Sequence, residues 1–229
     1  MAEGHTAILQ FSICILHFAM NLDFNLYLIT DRKQTRAPLT DAVRLALEGG
    51  VRAIQLREKD LPVRELLSLA RDIRGITKQF GARLIINDRL DVAAAVDADG
   101  VHLGRESIPP EAARKVVGSR MLIGVSTHNL EEARAAEAAG ADFITFGPVF
   151  ATPLKIQYGA PAGVDALREV KKHIGIPVFG LGGIGPDNIQ EVMRAGADGV
   201  AMISAIFAAG DIKRASTSII GRIGESLEQ

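Results

Sequence analysis

Three side chains that can bind an anion alternate along one short stretch of the chain, Gln55, Arg57 and Lys59. The guanidinium can hold a phosphate through two parallel hydrogen bonds and the lysine adds a mobile point charge, so the pair suits a diphosphate. Apolar residues just before this stretch are typical of a buried strand. We interpret it as an anion grip at a strand end, and the alternative is a solvated run of mixed charge with Glu58 and Asp60.

A carboxylate follows another apolar run, which ends in Asn87 and Asp88. An aspartate at this place could hold a Mg²⁺ ion that keeps most of its waters and bridges substrate phosphates. Asn-Asp also opens turns, and Asp88 could instead cap the helix predicted to begin at Leu90. The residues alone leave both interpretations open.

A hydroxyl and an imidazole follow a third strand. Ser126 could hydrogen-bond a heteroaromatic substrate and His128 could transfer a proton near neutral pH. Ser126, Thr127 and Asn129 of the same segment are also ordinary N-cap residues, and we expect capping to explain at least one of them. The next strand is followed by the longest strand-to-helix loop of the chain, from Gly147 to Gly163, which is typical of a functional lid.

Bare glycines follow the next strand, at Gly182 and Gly183. Their backbone N–H groups, together with those at Ile203 and Ser204 after the last strand, could form a phosphate cradle where barrels of alternating strands and helices commonly keep one. The alternative is that the glycines only satisfy tight turns.

Short β-rich runs alternate with longer helical patterns along the whole chain, which predicts an α/β fold, a single (β/α)₈ TIM barrel. Side chains that follow the strands would then converge on one mouth. The predicted strands are Leu26 to Thr30, Ala53 to Arg57, Arg83 to Asn87, Gly100 to Leu103, Met121 to Ser126, Phe143 to Phe146, Val178 to Leu181 and Gly199 to Ile203. The predicted helices include Thr40 to Glu48, Val63 to Phe80, Leu90 to Val96, Pro110 to Val117, Leu130 to Ala139, Val164 to His173 and Pro186 to Ala195.

A weak internal repeat precedes the even-numbered strands, with glycines at Gly49-Gly50, Gly100, Gly140 and Gly196. We predict that each glycine ends a helix in a left-handed cap. A spacing of two βα units predicts four similar quarters of the barrel. None of these turns needs to contact a ligand.

Composition argues against nucleic acid and anionic membranes as partners and favours small molecules. The formal net charge of -1 gives no overall attraction for nucleic acid or anionic membranes, and the 5% aromatic content without tryptophan argues against extended base stacking. The single cysteine, Cys14, excludes an intramolecular disulfide framework and favours a cytoplasmic location. Barrel helices rich in alanine and leucine leave a homodimer open.

The first 21 residues are interpreted as an N-terminal extension, and residues 22–229 as the catalytic barrel domain. Ile8 to Met20 is mostly apolar but short for a membrane-spanning helix, and no basic residues precede it as they would in a secretory signal. We discount a targeting role and favour Met20 as the real start of the protein.

With these residues assembled, the chain resembles thiamine phosphate synthases and the paralogous TenI-type thiazole tautomerases from about Tyr27 to Phe207. Each motif is weak alone, but their order and spacing are specific. The motifs are Tyr27 to Asp31, Gln55 to Lys59, Asn87-Asp88, Asp99 to Gly104, Gly124 to Ser126, Gly147 to Phe150, Thr152 with Lys155, Gly182 to Ile184, and Ala201 to Ser204.

The resemblance implies a role for each candidate residue. A synthase joins hydroxymethylpyrimidine diphosphate to a thiazole phosphate and needs cations and Mg²⁺ around the leaving diphosphate. It would contact the pyrimidine with Gln55 and Ser126, hold diphosphate with Arg57, Lys59, Asn87 and Lys155, bind Mg²⁺ with Asp88, and hold the thiazole phosphate with Gly182, Gly183, Ile203 and Ser204. Thr152 would be a further substrate-binding residue.

Two positions depart from the synthase pattern. Ser107 stands where the family usually has a second metal-binding aspartate, although the neighbouring Glu106 could reach the metal. Leu154 replaces a threonine before Lys155 and cannot hydrogen-bond an oxyanion.

These losses are what a tautomerase, which needs no diphosphate site, would tolerate, and His128 stands where that family has its catalytic histidine. We favour the synthase interpretation, followed by the tautomerase and then a non-catalytic regulatory paralogue that binds a thiazole phosphate.

Overall fold

The computed structural model describes residues 22–152 and 160–227, and its eight parallel strands close into a barrel. Each strand pairs with its neighbours in chain order, and β1 pairs with β8 to close the ring. The predicted (β/α)₈ barrel is confirmed. The strands are β1 (Leu26–Ile29), β2 (Ala53–Leu56), β3 (Arg83–Asn87), β4 (Gly100–Leu103), β5 (Leu122–Thr127), β6 (Phe143–Phe146), β7 (Val178–Leu181) and β8 (Gly199–Met202).

Helices surround the barrel, and the predicted ones lie within a residue or two of their expected bounds except near α7. The helices are α1 (Leu39–Glu48), α2 (Val63–Gln79), α3 (Leu90–Ala95), α4 (Pro110–Val117), α5 (Leu130–Ala138), α6 (Gly163–His173), α7 (Ile189–Arg194), α8 (Ser204–Phe207) and α9 (Ile212–Leu227). Among the described residues, no helix has the length and apolar character needed to cross a bilayer. The N-terminal extension lies outside the described residues.

The prediction that α7 begins at Pro186 is wrong, because a side-chain-stabilised turn precedes the helix. Asn188 Oδ1 accepts the Gly185 N–H at 2.8 Å, and its Nδ2 donates to the Gly183 carbonyl at 2.9 Å. These bonds hold residues 183–188 as a loop, and the helix starts at Ile189.

Helix α9, which completes the outer layer of helices, was not among the helices predicted from the sequence. It packs against α1, α7 and α8, and Lys213 Nζ lies 3.2 Å from Glu48 Oε2 on α1. Ile212, Ile219 and Ile223 are buried on one face of α9. The helical spacing of these three isoleucines is the sequence pattern that could have predicted α9.

The predicted left-handed turns are confirmed in three quarters of the barrel. Gly50, Gly140 and Gly196 have φ of +102°, +85° and +93°. The prediction is wrong for Gly100, which lies inside β4, where a Cβ would overlap the backbone of β5. In that quarter Asp97 takes the left-handed conformation, with φ of +50°.

Strand alternation divides the core into two clusters. Every second strand residue packs against the helices, for example Leu28, Ile54 and Ile86. The others fill the barrel interior with apolar and aromatic side chains. The interior cluster consists of Phe24, Tyr27, Ile29, Ala53, Ile85, Leu122, Phe143, Phe179 and Ala201.

Aspartates fasten the N-terminal end of the barrel, opposite the mouth. Asp142 Oδ2 accepts hydrogen bonds from the backbone N–H of Ile123, the second residue of β5, and from Arg114 Nη2, each at 2.6 Å. Asp99 and Asp198 make the same pair of contacts with a strand N–H and a helix cation. Charges at this end of such a barrel support stability rather than chemistry.

Candidate active site

Strand alternation brings polar residues to the inner wall above the aromatic interior. Gln55 lies two residues after inward-facing Ala53, Asn87 two after Ile85, and Ser126 four after Leu122. All therefore face the barrel axis near the carboxyl ends of their strands. The ring centroids of the aromatic layer below lie between 5.4 and 6.2 Å apart, which gives the polar groups a rigid floor.

A buried chain of hydrogen bonds, which we call the wall chain, crosses this inner surface. Gln55 Nε2 donates to the Tyr27 hydroxyl at 2.9 Å, and that hydroxyl lies 3.4 Å from His102 Nδ1. His102 Nε2 lies 2.9 Å from Ser126 Oγ, and the Thr145 hydroxyl approaches the same oxygen at 3.5 Å. The two residues predicted to contact the pyrimidine, Gln55 and Ser126, are therefore the ends of one network.

The wall chain is electrically neutral. Burial, with a smaller contribution from the positive charge of Arg57, lowers the pKa of His102 to about 3. Burial also raises the pKa of Tyr27 far above its usual value, although the hydrogen bond with Gln55 acts the other way. The imidazole and the phenol therefore carry no charge near neutral pH.

Tyr27 and His102 are functional candidates that sequence reasoning left without a role. Both lie inside apolar strands and are at most 2% exposed, so they resembled core residues. Each has a hydrogen-bonding side chain at an inward-facing position of an apolar strand, and this pattern could have identified both from the sequence. Gly124 makes space for the imidazole, because a Cβ there would lie 2.6 Å from His102 Nδ1 and 2.3 Å from the Phe143 ring.

Within the charged stretch Glu58 is buried, whereas Lys59 and Asp60 are exposed. Glu58 is 5% exposed and accepts the Arg32 backbone N–H at 3.1 Å and the Arg32 guanidinium at 3.0 Å. Asp60 pairs with Arg32 and Lys33 at 2.6 and 2.9 Å. The hydrogen bonds from Arg32 and then Lys33 hold the pKa of Asp60 well below its usual range. Both carboxylates are thus engaged by the loop after β1.

Arg57 and Lys59 are consequently available to an anion. No carboxylate of the described residues forms a salt bridge with either side chain. The buried Thr30 hydroxyl accepts the Arg57 N–H at 2.9 Å, which fixes the backbone where the chain leaves β2. Arg57 follows Gln55 by two residues, directly after β2.

Asp88 does not cap α3. No side-chain hydrogen bond caps that helix, whose N-cap residue is Arg89. Asp88 is exposed and has φ of +64°, an uncommon conformation for a residue other than glycine. Its backbone N–H is held by the His102 carbonyl at 2.9 Å. Asp88 directly follows the last residue of β3, at the carboxyl end of that strand.

The Mg²⁺ predicted at this end of the barrel fits a site shared with substrate. No cluster of three or more His, Cys, Asp or Glu side chains within residues 22–152 and 160–227 is arranged to hold a metal. Mg²⁺ commonly uses one or two carboxylates, several waters and substrate phosphates, and the exposed Asp88 can provide one such carboxylate.

Ser107 has a local structural function. Its hydroxyl accepts the Gly104 N–H at 2.8 Å, and its own N–H donates to the Gly104 carbonyl at 3.1 Å. The turn that follows β4 is closed by these bonds. Glu106 lies on the same turn and is exposed.

His128 belongs to a capping arrangement at the start of α5. Its Nδ1 and its backbone N–H each lie 2.8 Å from Glu132 Oε2. Asn129 Oδ1 accepts the Glu132 N–H at 2.8 Å, so Asn129 is the N-cap that the sequence predicted among these residues. The structure thus gives His128 a place at the rim with a structural partner.

The candidate phosphate cradle lines a depression of about 460 Å³ at the mouth. Gly183 and Ser204 both border it, together with Thr152. Gly182 and Gly183 have φ of +100° and +64°. A Cβ on either would overlap the loop after β6, so tight packing also requires these glycines. Ile203 is the N-cap residue of α8 beside the depression. Lys155 and Leu154 lie outside the described residues.

Comparison with known proteins decides the family. Residues 26–206 match the family model described as thiamine monophosphate synthase. The chain belongs to this family. The match spans β1 to α8 and so includes every strand of the barrel.

Several relatives of this thiamine monophosphate synthase family share most of the chain. A Geobacter sulfurreducens protein, named provisionally as a thiamine-phosphate synthase, is 56% identical over 200 residues, which are 87% of this chain and 94% of the relative. The thiamine-phosphate synthase of Moorella thermoacetica is 48% identical over 82% of this chain and 90% of its own. The solved thiamine phosphate pyrophosphorylase of Pyrococcus furiosus is 41% identical, with a TM-score of 0.82 over 89% of this chain and 96% of its own.

Proposed function

We propose that the protein is a transferase that condenses hydroxymethylpyrimidine diphosphate with hydroxyethylthiazole phosphate to give thiamine phosphate and pyrophosphate. The names of the relatives support the synthase interpretation over the tautomerase. The observation that carries the proposal is that Arg57 and Lys59 are left unpaired by described carboxylates, next to a neutral hydrogen-bonding wall.

The first chemical requirement is departure of the diphosphate. The bond between the pyrimidine methylene carbon and the bridging oxygen breaks, and the electron pair leaves with pyrophosphate. Arg57, Lys59, Asn87, Thr152 and Lys155 are proposed to hold the leaving group and stabilise its developing charge. When bound at Asp88, Mg²⁺ would neutralise further charge on the phosphate oxygens.

The second requirement is tolerance of positive charge on the pyrimidine. Loss of diphosphate leaves a cationic methylene carbon, which a cationic wall would oppose. The low pKa of His102 keeps the group behind Ser126 neutral. Gln55 and Ser126 are proposed to orient the ring with hydrogen bonds alone.

The third requirement is a nucleophile in line with the cation. The thiazole nitrogen supplies its lone pair to the methylene carbon, and the new carbon–nitrogen bond gives the thiazolium of the product. Backbone N–H groups at Gly182, Gly183, Ile203 and Ser204 are proposed to hold the thiazole phosphate across the mouth. Neither step needs a protein nucleophile.

The proposed location is cytoplasmic, which the presence of one cysteine in the whole chain supports. The phosphorylated pyrimidine and thiazole are small-molecule partners, and a homodimer remains part of the proposal without a role in the site.

The test is product formation by purified protein with both substrates and Mg²⁺. We expect one pyrophosphate for each thiamine phosphate formed. Arg57→Ala should lower kcat/KM about 10²–10³-fold, because it removes a contact to the departing charge. Arg71→Ala, the same change at an exposed position on the outer groove between α1 and α2, is the matched control.

Absence of pyrophosphate release by the folded protein would overturn the proposal. Interconversion of thiazole carboxylate tautomers that His128→Ala abolishes would favour the tautomerase instead. Binding of the thiazole phosphate without turnover would favour the regulatory paralogue.

A further inference from the structure

Asn188 occupies the N-cap position of α7 but does not cap that helix. An asparagine at this position commonly accepts a hydrogen bond from the second or third backbone N–H of the helix that follows, and the side chain of Asn188 makes no such bond. It turns back instead, so that Oδ1 accepts the Gly185 N–H at 2.8 Å and Nδ2 donates to the Gly183 carbonyl at 2.9 Å. Asn188 therefore organises the turn after β7 rather than the start of α7.

The bond to the Gly183 carbonyl fixes the direction of one backbone N–H in this turn. The peptide between Gly183 and Ile184 is trans and planar, so its C=O and its N–H point in opposite directions. Because the carbonyl points at Asn188, the Ile184 N–H points away from Asn188. No described residue accepts that N–H.

The loop after β6 directs the preceding N–H in the same way. The Phe150 N–H donates to the Gly182 carbonyl at 3.0 Å. In that trans peptide the Gly183 N–H therefore points away from Phe150, and no described residue accepts it either. Gly183 has φ of +64°, and successive N–H groups in such a turn form a concave site for anions. The turn thus offers two neighbouring donors without a described partner.

These donors belong to residues that border the depression of about 460 Å³ at the mouth, as Asn188 does. Ile184 is 7% exposed and its side chain packs in the core, so its backbone is the part that borders the depression. The amide of Asn188 is already engaged by the turn. It can therefore act on a bound anion through the peptide that it orients.

We propose that Asn188 is a positioning residue that directs the Ile184 N–H, beside that of Gly183, at the phosphate of the thiazole substrate. This inference rests on the proposed function, in which the backbone at Gly182 and Gly183 holds that phosphate. It adds Ile184 as a further donor and names the side chain that orients it. The effect of Asn188 is confined to the phosphorylated end of the thiazole.

Two substitutions of Asn188 and one matched control separate this role from helix capping. Asn188→Ala removes both bonds to the turn, and Asn188→Ser keeps a single polar atom that can make at most one of them. The control is Asn129→Ala. Asn129 has the same position at the start of α5, but its Oδ1 accepts the Glu132 N–H of its own helix at 2.8 Å. This substitution removes a true cap and leaves the turn after β7 intact.

The first measurement is calorimetric binding of hydroxyethylthiazole phosphate and of hydroxyethylthiazole without its phosphate. We expect the Kd of the phosphate to rise at least about tenfold in Asn188→Ala and at least about threefold in Asn188→Ser, because charge-assisted hydrogen bonds to it are misaligned. The Kd of the unphosphorylated compound should change less than about twofold, and Asn129→Ala should change neither Kd by more than that. Folding of each variant is checked by its thermal transition.

Equal losses for the two thiazoles, or an unchanged Kd of the phosphate in folded Asn188→Ala, overturn the inference. Both results would mean that Asn188 supports the barrel without directing a donor at the phosphate.

The second measurement is backbone amide NMR of the wild-type chain titrated with hydroxyethylthiazole phosphate, which needs no variant and no turnover. The amide protons of Gly183 and Ile184 should move downfield, whereas that of Gly185, already bonded to Asn188, should move much less. An unmoved Ile184 amide in the saturated protein overturns the inference. If these amides respond but no thiamine phosphate forms with both substrates and Mg²⁺, the proposed function fails and the role of Asn188 stands.

Discussion

Glu58 is predicted to stabilise the backbone of the anion grip, the stretch that carries Gln55, Arg57 and Lys59. It lies between Arg57 and Lys59 in the chain but is buried against the loop after β1, where it accepts one backbone and one guanidinium hydrogen bond from Arg32. Glu58→Gln keeps the size and one acceptor oxygen. It also turns an amide donor toward one of the two Arg32 donors.

The magnitude follows from these contacts. When a charge-assisted hydrogen bond is lost and its buried donor then faces another donor, the free energy of unfolding falls by about 1.5–3 kcal/mol. Because the Arg32 side chain is 33% exposed and water can replace part of the bond, we expect about 2 kcal/mol of unfolding free energy. In a domain of this size that loss lowers Tm by roughly 4–8 °C. A looser loop should also raise KM for the diphosphate substrate about threefold to tenfold.

Thermal unfolding and steady-state kinetics of Glu58→Gln and Asp60→Asn test this reasoning. Asp60 contacts the same Arg32 but its side chain is 47% exposed, so Asp60→Asn is the matched control and should change Tm and KM much less. Equal effects of the two substitutions would refute the role given to burial of Glu58.

Three further predictions concern separate parts of the barrel. Because the folded pKa of His102, about 3, is below the usual unfolded value, the unfolded state binds more protons between these values. Its contribution to stability is therefore complete above pH 6.5 and falls by about 2 kcal/mol at pH 5, and denaturant unfolding should show a smaller loss in His102→Gln. Ser107→Asp should keep the bond to the Gly104 N–H and add a free oxygen, so half-saturation of activity should need less Mg²⁺, and equal Mg²⁺ dependence in Ser107→Asn and Ser107→Asp would contradict this. Asp142→Asn should lower unfolding free energy by about 2–4 kcal/mol with kcat nearly unchanged, whereas the same change at the exposed Asp165 should leave both unaltered.

Much of the fold could be predicted because strands and helices have different apolar periods. The predicted bounds of β3, β4, β6 and β7 match the structure. Identification of α9 failed because Gly221, Gly224 and several hydroxyl residues weaken its apolar pattern. The predicted start of α7 was wrong because side-chain hydrogen bonds of Asn188, rather than backbone propensity, decide where the loop ends.

The candidate site was predictable where chemistry lies at strand ends. Gln55, Arg57 and Asp88 were found because a polar group directly after an apolar strand is visible in the sequence. Their roles and those of the other site residues stay predictions until substrates or variants test them. The hydrogen bonds between Glu58 and Arg32 could not be predicted from the sequence, because the two residues are 26 positions apart.

The inner wall of the barrel was harder to read than its rim. Tyr27 and His102 are surrounded in sequence by apolar residues, and only closure of the barrel brings them beside each other, 75 residues apart along the chain. A polar residue at an inward position of an apolar strand is the pattern that would have identified both.

The most direct test of the central claim is thiamine phosphate formation by folded Asp88→Asn and His128→Ala, measured beside wild type with both substrates and Mg²⁺. We predict that wild type releases pyrophosphate and product in equal amounts. Asp88→Asn should lose most of this activity because the metal carboxylate is gone. His128→Ala should retain most of it, since the hydrogen bonds of His128 go to Glu132 at the start of α5, where Asn129 is the N-cap. Loss of activity in His128→Ala together with full activity in Asp88→Asn would contradict the account.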